Sequence, residues 1–185
     1  MDAIWKTIGS DTSESLCLEA EAATVNRVKE EMGSHNSIHF ACHARQDVVN
    51  PLNSGFYLHD GRLELAEIMK LKIDHSELAF LSACQTSTGD EELSEEAVHL
   101  AAGMLAVGYR SVVATMWSIK DKYGPVVAES YYQYLMVKGS TPGMLRLDTF
   151  NAARALHHAI QGIREQVGDT QRGLLTWVPY VHFGY

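Results

Sequence analysis

Cysteine and histidine are the residue types here that could do covalent chemistry together. The chain holds three cysteines and nine histidines. His43 closes a short apolar run, Ile38-His39-Phe40-Ala41-Cys42-His43. Cys84 closes a second run, Leu78-Ala79-Phe80-Leu81-Ser82-Ala83-Cys84. Both runs have the length and the apolar content of buried strands. If they are neighbours in a parallel sheet, their ends lie one strand spacing apart, about 5 Å. Sites in such sheets form beyond the carboxyl ends of the strands. A histidine beside a cysteine lowers the thiol pKa and yields thiolate, the form that attacks. The same imidazole can then protonate a leaving amine. N–H groups just past the strand ends are candidates to hold an oxyanion. Position and chemistry therefore agree on a His43–Cys84 dyad. The bland alternative is that each cysteine is a small hydrophobe in the core.

Other residues are weighed against the same standard. Cys42 is one position from His43, so on a strand it points to the opposite face and belongs to the core. His39 and His43 imitate a metal pair, but four residues of strand span about 13 Å, too far to chelate one ion. No metal or other cofactor is expected. The pair His157-His158 reads as surface. The run Asp90-Glu91-Glu92…Glu95-Glu96 suits the first turn of a helix through its dipole. Its functional alternative is selection of basic substrate residues near Cys84. No phosphate-binding glycine motif is present.

The elements that must position the dyad can be read from spacing. A helix is expected over 22–32, a strand over 38–43, loop over 44–62 and a short helix over 65–69. A second strand covers 78–84, and a helix covers 97–105, with Gly108 as its stop. A third strand spans 111–117. Further helices run from Asp121 or Pro125 to Leu135, and from Asp148 or Thr149 to Val167 before Gly168. The aromatic tail 177–185 alternates like a strand. Strands separated by helices predict a mainly parallel sheet, and the three inner strands are apolar almost throughout, as a sheet covered on both faces requires. Composition agrees: 185 residues, 46% hydrophobic, 21% charged and a net charge of 15 − 23 = −8. An acidic chain without a basic cluster disfavours nucleic acid and anionic membrane surfaces as partners. No apolar stretch is long enough to span a membrane. The odd cysteine count fits a reducing compartment, and a cytoplasmic location is expected.

The blocks His39-Phe40-Ala41-Cys42-His43-Ala44 and Leu81-Ser82-Ala83-Cys84-Gln85-Thr86 resemble the CHAT domains, caspase-like cysteine peptidases often joined to repeat arrays. The similarity continues through Leu58-His59-Asp60-Gly61, the segment 96–103, Ala114 to Asp121, and Trp177 to Gly184. The resemblance implies a caspase-like three-layer α/β sandwich, a mostly parallel sheet with helices on both faces. It implies a cysteine endopeptidase cleaving intracellular proteins in signalling or regulated cell death, with His43 as proton shuttle and Cys84 as nucleophile. The N–H groups of Cys84 and Ala44 would form the oxyanion hole. Met116, Trp117 and Ser118 would line the substrate pocket, with Asp121 in the same motif or capping the next helix. The partners implied are a protein or peptide substrate, and repeat or regulatory domains in a longer parent protein. Ala44 stands where the family usually carries glycine. If that position needs φ > 0, alanine would be strained by roughly 1 kcal/mol or more. Residues 1–20 read as a lead-in and 21–185 as the domain, without the family's N-terminal strands. A catalytically inactive scaffold completed by a partner chain is the alternative.

Overall fold

The computed structural model describes residues 15–47, 49–82, 84–85, 97–117, 119, 122–138 and 145–185, with backbone alone at 84–85, 97–98, 138 and 145. The chain divides into two compact units. One holds residues 18–118 and 181–185, and the other holds 119–180 with the residues up to Cys17.

The first unit is built on a four-stranded sheet of mixed α/β type. Helix α1 (Val25–Ser34) leads in, and the side chain of its N-cap Thr24 accepts from the N–H of Arg27. Strand β1 (Ser37–Phe40) follows. It pairs in parallel with β5 (Leu78–Leu81), which pairs in parallel with β7 (Ser111–Thr115). Strand β10 (Tyr180–Gly184) lies beyond β7, and β1 is the outer strand at the other side of the four. Every residue of β5 and β7 is buried. That burial explains why Leu78–Leu81 and Val112–Ala114 run apolar without alternation.

Where one strand was expected over 38–43, the structure has two. β1 stops at Phe40, and β2 (His43–Arg45) belongs to a second sheet. The run 78–84 divides in the same way, into β5 and β6 (Cys84–Gln85). A hydrophobic run carries no mark of such a break, because Ala41-Cys42 is as apolar as the strand before it.

The second sheet recruits the segment read as loop. Within 44–62 the chain forms a hairpin of β3 (Gly55–Leu58) and β4 (Gly61–Glu64), closed by His59-Asp60. Its sheet order is β4-β3-β2-β6. The hairpin turn is tied to α1: Asp60 Oδ1 accepts from the N–H of Val25 at 2.7 Å, and the Ala23 carbonyl accepts from the N–H of His59 at 3.0 Å. Helix α2 (Leu65–Ile68) begins where the N–H of Leu65 donates to the Ser54 carbonyl at 2.7 Å. Lys29 on α1 then reaches Glu67 on α2 at 2.7 Å. Helix α3 (Ala97–Val107) buries Leu100, Ala101 and Met104 in the core of this unit. Gly108, at φ +120°, ends it as expected, its N–H donating to the Leu105 carbonyl.

The second unit is mainly helical. Helix α4 (Gly124–Leu135) starts with Tyr123 in the N-cap position, and Asp121, considered as a cap, lies outside the described residues. A hairpin of β8 (Met136–Lys138) and β9 (Leu145–Leu147) was not expected from sequence. Helix α5 (Ala152–Val167) ends at Gly168 with φ +71°. Helix α6 (Gln171–Trp177), capped by Thr170, occupies ground partly read as strand, so β10 begins at Tyr180 instead of 177. The Thr170 cap is the local signal for it.

Gly55 tests how tightly the small sheet is assembled. A Cβ there would run into the Leu63 carbonyl oxygen of β4. Gly55→Ala is expected to destabilise by about 2 kcal/mol in denaturant unfolding. At Gly33 in α1 an added Cβ meets nothing within 4 Å. Gly33→Ala is therefore expected to be neutral or stabilising by up to about 1 kcal/mol.

Candidate active site

The small sheet places the two candidate residues opposite each other. β2 and β6 are parallel, with His43 paired to Cys84 and Ala44 to Gln85. Paired positions in neighbouring strands sit about 4.8 Å apart and share a face of the sheet. The backbone pairing puts the two positions side by side in a different sheet from the one expected. His43 and Cys84 do not end β1 and β5; they lie in the second sheet, just beyond where both strands break.

The break conserves register. Along β1 and β5 the partners run from Ser37 with Leu78 to Phe40 with Leu81. Past the break they resume as His43 with Cys84. The offset is the same on both sides, 81 − 40 = 84 − 43 = 41. Each strand spends two residues on the crossing, so neither slips. Two contacts span the crossing. The Phe40 carbonyl accepts from the N–H of Ser82 at 2.9 Å, and His39 Nε2 lies 3.1 Å from Ser82 Oγ.

β2 alternates as a half-exposed strand should: His43 and Arg45 are exposed, Ala44 is 1% exposed. Ala44 faces the core of its unit, its ladder partner on β3 being Phe56. The Phe56 ring stacks on Phe40 at 4.0 Å between centroids and 6° between planes. This stack joins the end of the large sheet to the small one. Among the described residues, positive φ outside glycine occurs only at Ala20 and His75. Ala44 therefore has ordinary extended backbone, and the strain considered for alanine at this position does not arise. Ala44 lies in a strand paired on both sides, with β3 and with β6.

Met116 and Trp117 follow β7, which ends at Thr115. They are not strand residues, contrary to the span 111–117 read from sequence. β1, β5 and β7 are parallel, so Met116 and Trp117 emerge at the end of the sheet from which His43 and Cys84 also depart. Met116 is exposed and Trp117 partly buried. Ser118 and Asp121, and the acidic run from Asp90 to Glu96, lie outside the described residues.

The remaining histidines and cysteines have structural settings. Cys42 packs against the core of the sheet unit, and burial pushes its thiol up to about 12, which suits an inert core cysteine. His39 lies tilted on Phe80 with centroids 4.8 Å apart, on a different sheet from His43. Burial lowers its imidazole to about 4. Among the described residues no group of three His, Cys, Asp or Glu side chains could hold a metal ion. His157 and His158 are exposed on α5. No described helix is long and apolar enough to cross a membrane.

The model of the CHAT domain family matches residues 3–185. No curated protein matches the chain.

The His39 setting has a consequence for stability. Unfolded, this imidazole takes up a proton near pH 6.5; folded, it stays neutral down to about 4. The unfolded chain thus binds more protons between those values, and stability falls as pH drops through them. The slope from this one group is at most about 1.4 kcal/mol per pH unit. Denaturant unfolding from pH 7 to pH 4.5 is expected to show a shallower loss in His39→Gln. Identical slopes in the two proteins would refute this assignment.

Proposed function

Since the chain belongs to the CHAT domain family, a family related to the caspase-like peptidases, we propose that it is a cysteine endopeptidase domain acting through Cys84 and His43. The observation that carries this reading is the ladder pairing of those two residues in the small sheet. Sequence chemistry nominated the same two.

In this proposal His43 takes the proton from the Cys84 thiol, and the sulfur attacks the carbonyl carbon of the scissile bond. The negative charge that develops on the carbonyl oxygen meets N–H donors, with those of Cys84 and Ala44 as the candidates. The tetrahedral species collapses with loss of the amine, which receives the proton from His43. Water then adds to the acyl carbon, giving its proton to His43, and the sulfur leaves as the acid product departs. No metal or cofactor enters this scheme. Exposure of His43 leaves its imidazole reachable by a peptide. Met116, Trp117 and Ser118 are proposed to line the pocket for an extended substrate, with Asp121 nearby in sequence. The substrate class is an intracellular protein or peptide, and repeat or regulatory domains are the partners proposed for a longer parent protein.

An inactive scaffold is the competing proposal. One of its supports was strain at Ala44, and extended backbone there removes that one. Reactivity separates the two. Cys84 in the natural chain is expected to react with iodoacetamide well below pH 8, and His43→Ala to abolish that reactivity. Peptide cleavage should disappear in Cys84→Ala and drop on the order of 10²- to 10⁴-fold in His43→Ala. An alkylation profile of an ordinary thiol near pKa 8.5, indifferent to His43, would favour the scaffold.

A further inference from the structure

The outer face of β2 carries a second functional group, the guanidinium of Arg45. It lies two residues beyond His43, about 7 Å along the strand, and both side chains are exposed on the same face. Arg45 forms no ion pair or side-chain hydrogen bond among the described residues. Two carboxylates of the same region, Glu64 and Asp47, have partners of their own. Glu64, on the far strand β4, is held by Arg62. Asp47 feels the charge of Arg45, but its Oδ1 accepts from the N–H groups of Val49 at 3.1 Å and Asn50 at 2.8 Å. Its Oδ2 faces the Asn53 amide at 3.5 Å. Asp47 thus organises its own loop and makes no contact with the guanidinium. In a chain of net charge −8, an uncommitted cation beside the candidate dyad is a feature that folding does not require.

We propose that Arg45 is a specificity-determining residue of this site, drawing acidic peptide segments to the His43–Cys84 pair. The proposal rests on the peptidase reading above and names its substrate class. An arginine suits the task because its fork binds a carboxylate with two parallel hydrogen bonds. Tyr57, exposed on β3 two strands from Cys84, adds an aromatic surface to the same small sheet. The acidic run from Asp90 to Glu96 would act in the opposite sense. It is common to every variant at position 45, so comparing variants isolates the arginine.

The test uses two alkylating agents of nearly equal size, anionic iodoacetate and neutral iodoacetamide. The rate at Cys84 is read site by site by mass spectrometry in the natural chain, Arg45→Lys, Arg45→Gln and Arg45→Glu. A unit charge some 7–8 Å away changes the iodoacetate-to-iodoacetamide ratio about two- to three-fold at low salt, and reversal of the charge squares that factor. The expected order is natural chain and Arg45→Lys together, Arg45→Gln lower and Arg45→Glu lowest, with the differences shrinking as salt rises. A ratio unchanged across the four proteins overturns the proposal, as does a folded chain in which Cys84 reacts with neither agent. The same measurement in His43→Ala separates the two readings. Reactivity that needs His43 but ignores Arg45 leaves the dyad standing and removes the acidic-substrate assignment. A ratio that follows Arg45 while His43 is irrelevant removes the dyad and keeps an anion-attracting surface at Cys84.

Discussion

Everything at the candidate site depends on register being kept across a break. Two parallel strands leave one sheet together and re-form in another with the same offset. A slip of one residue in either chain would place its residues on opposite faces, because side chains alternate with a period of two. His43 would then face the core, where Ala44 now sits, and an imidazole would be buried against Phe56. The equal two-residue crossing prevents this. The Ser82 amide bonded to Phe40 and the Ser82 hydroxyl beside His39 sit at the crossing itself. They are the contacts that could register one crossing against the other.

The small sheet is weakly specified by itself. β2 has three residues and β6 two, too little backbone pairing to persist alone. Its stability comes from attachments. Phe40 stacks on Phe56, and Ala44, the ladder partner of Phe56, is buried in the same core. The hairpin is pinned to α1 through Asp60 and to α2 through Ser54. The site is thus exposed on one face and supported by core packing on the other, an arrangement that frees His43 and Arg45 for solvent while fixing the backbone beneath them.

Much of this was legible in the residues. The apolar runs named β1, β5 and β7, and for β5 and β7 the lack of alternation follows from burial of every residue. The spacing of three and four named α1, α3 and α5, with Gly108 and Gly168 as their stops. Cys84 and His43 were singled out by chemistry and by their place at the ends of apolar runs. The hairpin of β3 and β4 was missed, although Asp60-Gly61 marked its turn, because four-residue strands leave too few positions for alternation to show. The hairpin β8–β9 and helix α6 were missed for the same reason: short elements take their stability from neighbours that sequence does not reveal.

The sequence by itself determined the class of fold, the apolar strands of the large sheet and the two residues proposed as nucleophile and base. These follow from local quantities: hydrophobic period, capping residues and side-chain chemistry. Tertiary structure alone decided that each apolar run divides in two, that His43 and Cys84 become ladder partners in a second sheet, and that Ala44 takes extended backbone. It also decided that Arg45, on the same strand as His43, has no ion-pair partner among the described residues. Each of these depends on pairing between segments tens of residues apart, and the pairing energy resides in contacts that neither segment makes alone.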